Sequence, residues 1–272
     1  MDSQSAPLTD SLRDVGALPA LELAMLSRRG GRDHNEDACS HWHSERHLCV
    51  VVADGAGGHG GGDIASQLAV SHVIEQFSKA PVSEPEQVGD LLFGANEAIL
   101  KNRERSGARA QMYTTVVCLL INFERAEALW GHVGDSRLYR FRGGKLLERT
   151  RDHSLMQSLV DAGLLTPEQT RNHPRRSELL SALGSEPEHL VLSSSEKAWP
   201  LQTGDAFLLC TDGVWEYVDD DAMALSLAAA ATPLAWLKLI EQTVLSQAAA
   251  AGKARHDNFS AVAVWIGAPK NS

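Results

Sequence analysis

The stretch Val50 to Ser66 constrains this 272-residue chain more than any other. Four small or β-branched apolar residues, Val50-Val51-Val52-Ala53, end in Asp54-Gly55, and six glycines fall between positions 55 and 62. An apolar run stopped by Asp-Gly predicts a buried strand, and the pattern from Ile64 to Phe77 predicts a helix after it. Asp54 then stands at a strand end, where glycines without side chains let a ligand approach main-chain N–H and C=O groups. A Walker phosphate loop needs Lys and then Ser or Thr after its last glycine, but Asp63 and Ile64 stand there instead. A plain glycine turn, with Asp54 capping the helix, is the bland alternative.

The same placement recurs along the chain. Leu21 to Leu26 predicts a first strand running into the charged stretch Arg28 to Asp37, which reads either as a metal and phosphate site or as a solvated turn. Pro85 to Arg105 predicts a helix, with Val88, Leu91, Leu92, Ala95, Ala98 and Ile99 on one face. Tyr113 to Ile121 and Ala126 to Val133 predict a hairpin that opens into Gly134-Asp135-Ser136-Arg137, and Leu138 to Arg149 a second hairpin turning at Gly143-Gly144. After a helix over 154–162, residues 164–188 hold three prolines and little periodicity, which predicts an excursion from the core, a flap. Its Pro174-Arg175-Arg176 is either a solvated turn or a docking surface for phosphorylated protein. Leu190 to Ser194 and Ala206 to Cys210 predict strands, the latter ending in Thr211-Asp212-Gly213. A helix over 233–250 precedes His256-Asp257-Asn258 and a closing strand, Phe259 to Ile266. Residues 1–20 are expected as a loose, flexible tail and 21–268 as one domain.

A net charge of −10 and the lack of a basic stripe argue against nucleic acid as a partner. Cys39, Cys49, Cys118 and Cys210 have neither zinc-site spacing nor the density of a disulfide scaffold, which suits a reducing cytoplasm. The N-terminus lacks the cations and apolar stretch of a secretory signal. The most apolar region, Ala222 to Ile240, is broken by Ser226, Thr232, Pro233 and Lys238, so no membrane span is expected.

Asp54, Asp135, Asp212 and Asp257 thus lie at the edges of apolar strands, with Glu36-Asp37 as a fifth acidic site. If several converge, each pair of ionised carboxylates about 4 Å apart repels by roughly 1 to 4 kcal/mol, and the cluster needs cations. Oxygen ligands without His or Cys select hard ions such as magnesium or manganese. Two such ions bridged by one carboxylate activate water and neutralise a phosphate, and a nearby guanidinium grips its other oxygens. The chemistry predicted is metal-assisted phosphoester hydrolysis.

The motifs carry a resemblance. Arg32-x-x-Asn35-Glu36-Asp37, Asp54-Gly55-x-Gly57-Gly58-His59-x-x-Gly62-Asp63-x-Ala65-Ser66, Thr114-Thr115, Gly134-Asp135-Ser136-Arg137-x-Tyr139, Asp152-His153-Ser154-Leu155, Asp212-Gly213 and Asp257-Asn258 follow one another in order. From Leu23 to Gly267 the chain resembles the metal-dependent serine/threonine protein phosphatases, the PPM or type 2C family, in its bacterial form. The resemblance implies an α+β fold, a four-layer αββα sandwich of two antiparallel sheets flanked by helices, with metals at one end. It implies hydrolysis of phosphoserine and phosphothreonine by a metal-bound hydroxide at a centre of two Mn2+ or Mg2+ ions, with a weak third ion in some members, and a Ser/Thr kinase as the opposing partner. A non-catalytic regulator of the same fold, binding a kinase or phosphoprotein, and a small-molecule phosphatase are the competing functions.

Carried over by position, Asp54 would bridge two metals and the Gly55 carbonyl would bind one. Asp212 and Asp257 would complete the second ion's ligands, Asp37 would join them with Glu36 acting through water, and Arg32 would hold the phosphate. Asp135 resembles the ligand of the third ion. Glu216 stands where several members carry Asp, and Ala56 where animal members have His and many bacterial ones Met. His59, where the helix begins, is expected to fix the glycine turn, and Asn258 to support Asp257. His41, His43 and His47 are expected at a loop or strand edge, His132 as structural, His153 as support for the flap's base, and Trp215 as core.

Overall fold

Both faces of the central strands are apolar, and a sheet apolar on both faces must be covered on both. In the strand that ends at Asp54, Cys49, Val51 and Ala53 join one core, while Leu48, Val50 and Val52 join another. In the closing strand Val262, Val264 and Ile266 share that second core, whereas Phe259, Ala261 and Ala263 enter a third. Period-two alternation therefore produces three stacked cores and four layers: helices, sheet, sheet, helices.

The computed structural model describes residues 3–4, 11–18, 21–57, 61–106, 111–170, 173–253 and 255–267. In chain order the elements are β1 (Ser3–Gln4), β2 (Ser11–Leu18), β3 (Leu21–Arg28), β4 (Ala38–His43), β5 (His47–Ala53), β6 (Gly55–Ala56), α1 (Gly62–Lys79) and α2 (Pro85–Ser106). Next come β7 (Tyr113–Thr114), β8 (Val116–Asn122), β9 (Glu127–Val133), β10 (Arg137–Arg142), β11 (Lys145–Arg149), α3 (Leu155–Asp161) and α4 (Pro167–Thr170). Then follow β12 (Ser193–Ser194), β13 (Trp199–Pro200), β14 (Asp205–Cys210), α5 (Asp212–Trp215), α6 (Asp220–Ala229), α7 (Pro233–Ala250) and β15 (Phe259–Ile266).

One antiparallel sheet runs β1-β4-β5-β8-β9-β12, with β13 also on β9, and the other runs β11-β10-β14-β15-β3-β2. Helices α1 and α2 cover the first through Ala69, Val73, Phe77, Val88, Leu92 and Ile99. Helix α7 covers the second with Trp236, Leu237, Ile240 and Val244. Thr232 caps α7 by accepting from the Ala235 N–H, and Pro233 begins it, as a first-turn proline can. The four-layer architecture expected of the resemblance is the one observed.

Four local expectations need correction. Residues 1–20 are not all outside the fold: Ser11–Leu18 pair antiparallel with β3, from Ser11 opposite Ser27 to Leu18 opposite Leu21. Arg13, Asp14 and Gly16 break the apolar pattern, and the strand exists because β3 offers it an edge. The run expected from Tyr113 to Ile121 is two strands, since the Thr115 N–H leaves the ladder to donate to the Asp54 carbonyl (2.8 Å). The strand expected over Leu190 to Ser194 shrinks to Ser193–Ser194. The second half of the 164–188 excursion belongs to the body: Leu183 is buried and bridges to Thr114, and the Gly184 N–H donates to Asn96 Oδ1 (2.6 Å).

Candidate metal centre

Strand ends from both sheets meet where β5, β9 and β14 stop. Asp54 follows β5 and Gly55 packs so closely that a Cβ there would stand 2.2 Å from the Gly62 carbonyl oxygen. The Asp54 main chain is clamped: its N–H donates to Thr115 Oγ1 (3.0 Å) and its carbonyl accepts from Thr114 Oγ1 (2.9 Å). The neighbouring acidic stretch is tied to the same place, because the Glu36 carbonyl accepts from the Gly55 N–H (3.2 Å) and from Ser66 Oγ (2.6 Å). Glycine density after Asp54 thus serves close packing of the acidic loops.

Asp37 is 2% exposed and accepts from Thr211 Oγ1 through Oδ2 (2.9 Å), while its Oδ1 has no protein partner; Asp212 Oδ1 is buried and equally unpartnered. Burial pushes the Asp37 carboxyl up to about 8, with hydrogen bonds from Ser260 and Thr211 opposing and the charges of Asp212 and Asp257 adding. Asp212 is pushed up to about 7, by burial and then by the charges of Asp257 and Glu216. Asp54 is held well above its ordinary value by burial and by the charges of Asp37, Asp212, Asp135 and Asp257. Asp135 rises likewise through burial, Asp212 and Asp152, against Arg137. Glu36 is raised by burial and Asp63, against Arg32.

Four aspartates that disfavour one another's ionisation, two of them with orphaned oxygens, form a donor set for hard divalent cations. The residues fit such ions in the chemistry of their donor atoms. Among the described residues, though, no three His, Cys, Asp or Glu side chains stand as a ready-made metal cage. Asp257 lies at the rim, 40% exposed, and Arg32 Nη2 donates to its Oδ2 (2.5 Å).

The structure brings Glu36, Asp37, Asp54, Gly55, Asp135, Asp212, Asp257, Asn258 and Arg32 to one end of the sandwich. Glu216 is adjacent but accepts from Arg176 Nε (2.9 Å), so a flap cation holds it. His59 lies outside the described residues. Asn258 is a larger support than expected: its amide donates to the carbonyls of Arg29 (2.7 Å) and His34 (2.9 Å), and its Oδ1 accepts from the Glu36 N–H (2.9 Å).

Several supporting contacts were not foreseen from sequence. Arg137 forms a bidentate pair with Asp152 (2.8 and 2.7 Å) and lies over the Trp215 ring, 3.7 Å from its centroid. Trp215 is only partly core, since its Nε1 donates to the Asp135 carbonyl (3.0 Å) and so fixes that acidic turn. His132 is buried and stacks on His153, with centroids 4.4 Å apart, and His153 Nδ1 accepts from the Gly134 N–H (3.2 Å). Thr115 Oγ1 also shares a hydrogen bond with Ser136 Oγ (2.6 Å). The signal for Thr211, Thr115 and Ser136 was adjacency to an aspartate or to its clamp.

The chain is 34% identical over 216 residues to the serine/threonine protein phosphatase PstP of Mycobacterium tuberculosis, a match covering 76% of this chain and 39% of that protein. It therefore spans about two fifths of the length of that relative. It is 33% identical over 198 residues to the serine/threonine phosphatase stp of Listeria welshimeri, covering 71% of this chain and 77% of that one. Among solved structures, the catalytic domain of PstP in complex with two manganese ions superposes with a TM-score of 0.72 at 26% identity, over 94% of this chain and all of that one. The family model described as protein phosphatase 2C matches residues 27–254. Since that match covers well over half of the chain and every acidic position from Glu36 to Asp212, the chain belongs to the protein phosphatase 2C family.

Proposed function

We propose that the chain is a protein serine/threonine phosphatase that hydrolyses phosphoserine and phosphothreonine at a two-metal centre. The observation that carries this is the gathering of buried Asp37 and Asp135 with half-buried Asp54 and Asp212, with unpartnered oxygens on Asp37 and Asp212, beside the Arg32 guanidinium. Asp54 and the Gly55 carbonyl would hold one Mn2+ or Mg2+ ion, and Asp54, Asp37, Asp212 and Asp257 a second; Glu36 would act through water. Asp135 would serve a weak third ion, and Glu216 would join it only if Arg176 released it. When bound, such ions lower the pKa of water and draw charge from a phosphate.

The chain's own residues do the rest. Arg32, 54% exposed, is free on its outer side to turn from Asp257 to two oxygens of a phosphate monoester, a better bidentate partner. Thr114, Thr115 and Ser66 hold the backbone of Asp54 and Glu36, so the acidic groups keep their spacing as charge develops.

The substrates are phosphorylated proteins, the opposing enzyme is a Ser/Thr kinase, and the setting is cytoplasmic signal transduction. The first of these readings is supported by relatives named serine/threonine phosphatases, and the metal centre by one crystallised with two manganese ions. Among the described residues no helix is long and apolar enough to cross a membrane. The test is manganese-dependent release of phosphate from a phosphothreonine peptide. Affinity for the peptide without turnover would identify a binding module instead, and a strong preference for free phosphometabolites a small-molecule phosphatase.

A further inference from the structure

Beyond the acidic centre the rim carries a cation that the chemistry above does not use. A cavity of about 200 Å3 opens beside Arg32, and Asp33, His34, Glu36, Arg255 and Asn258 share its wall. The three hydrogen bonds of the Asn258 side chain lay the loop from Arg29 to Glu36 against the loop from Arg255 to Asn258. The Gly31 N–H adds a fourth tie to the His256 carbonyl (3.0 Å), and at Gly30 a Cβ would stand 2.1 Å from the Asp257 carbonyl oxygen. Arg32 and Arg255, distant in sequence, are therefore held at one opening by packed backbone.

The charge at this opening is unbalanced. Glu36 and Asp257 belong to the acidic centre, where bound cations would take up their charge. Asp33 is then the cavity's own carboxylate, sharing the wall with Arg32 and Arg255. Its tie to Arg255 is loose, at 4.0 Å with the side chains 82% and 84% exposed, a geometry with little net attraction in water. The wider depression of about 600 Å3 between β11, α3 and α6 differs, because there Arg149 is matched by Asp220 and Arg151 by Asp161. In a chain of net charge −10, Arg255 is a cation beside the proposed phosphate grip and, among the described residues, without a firm partner of its own.

The geometry points to Arg255 as a specificity-determining residue: with Arg32 on the phosphate to be removed, Arg255 receives a second anion of the substrate chain, a carboxylate or another phosphate. This rests on the phosphatase reading above. Arg32 and Arg255 line the same small cavity, so the second anion falls close in sequence to the phosphorylated residue. A planar guanidinium suits either anion in bidentate fashion.

Three phosphothreonine peptides that differ only in the two residues on each side, alanine, aspartate or phosphoserine, test this with the manganese-loaded enzyme at low ionic strength. Dephosphorylation of the threonine is followed by mass spectrometry. The expected result is a kcat/KM about three- to tenfold higher for one or both anionic peptides, carried mainly by KM, because the contact is made alike in ground and transition states. A gain confined to phosphoserine identifies the second anion as phosphate. Arg255→Ala brings the ratio to about one, Arg255→Glu takes it below one, and Arg255→Lys keeps part of it. A wild-type enzyme that turns over all three peptides alike, or a preference that survives in Arg255→Ala, overturns the assignment of Arg255 alone. A wild-type enzyme that turns over none of them overturns the phosphatase reading as well.

Discussion

Replacing Asp54 by Asn separates the function of the acidic centre from the stability of the fold. In the metal-free protein Asp54 is half-buried beside Asp37, Asp212, Asp135 and Asp257, and loss of solvent and those charges hold its carboxyl well above its ordinary value. A pair of carboxylates about 4 Å apart repels by roughly 1 kcal/mol at a watery dielectric and 4 kcal/mol at a semi-buried one. Asn keeps the size, removes the charge and adds an N–H that can donate to the Asp212 carboxylate. The main-chain bonds to Thr114 and Thr115 are untouched, so the fold should persist. A gain of about 1 kcal/mol raises the Tm of a domain this size by roughly 2–4 °C. Metal affinity should move the other way, because the proposed bridge between both ions loses its charge, at a cost of several kcal/mol in transition-state stabilisation. Scanning calorimetry with and without manganese, alongside turnover of a phosphothreonine peptide, checks both halves. Metal-free Asp54→Asn should melt above wild type, show little manganese-induced shift and have almost no activity. A metal-free Tm more than 2 °C below wild type would refute the repulsion argument, and more than a tenth of wild-type turnover at saturating manganese would refute the bridging role.

Three further outcomes are expected. Arg175→Ala with Arg176→Ala should slow dephosphorylation of a phosphoprotein more than of a small aryl phosphate, and Glu216→Gln should reproduce much of this by releasing Arg176; equal losses on both substrates would assign the pair to structure. His132 is buried against His153, and burial followed by the His153 charge lowers its pKa to about 3, so the folded state keeps it neutral while the unfolded chain protonates below about 6.5. Stability is therefore lost as pH falls from about 6.5 toward 3, and the difference between wild type and His132→Phe, measured by urea unfolding, should shift by about 2 kcal/mol toward the variant from pH 8 to pH 5. A constant difference would show that His132 does not titrate as its burial requires. At Gly213 a Cβ would stand 1.9 Å from the Asn258 carbonyl oxygen, so Gly213→Ala should destabilise the fold by about 1–3 kcal/mol and weaken manganese binding by parting the loops of Asp212 and Asp257. Unchanged melting and manganese titration curves would contradict that packing.

The acidic centre was legible in the sequence because each of its parts is a local event: an apolar run that stops at an aspartate beside glycine or another turn former. β5 into Asp54-Gly55, β9 into Gly134-Asp135 and β14 into Asp212-Gly213 repeat it, whereas the two stacked sheets were expected only from the family resemblance, and the structure shows their strands buried on both faces. Local pattern has no access to partners far along the chain. Ser11–Leu18 is a strand because β3 has an edge to fill, Thr115 leaves its strand to clamp Asp54, and Arg176 reaches Glu216 across forty residues. Asn258 carries hydrogen bonds to backbone more than two hundred residues away. Local residue order marks where chain direction breaks and which oxygens stand at those breaks. Which of them share one dielectric environment is settled in three dimensions, because mutual repulsion, burial and clamping arise when distant strand ends are packed against one another.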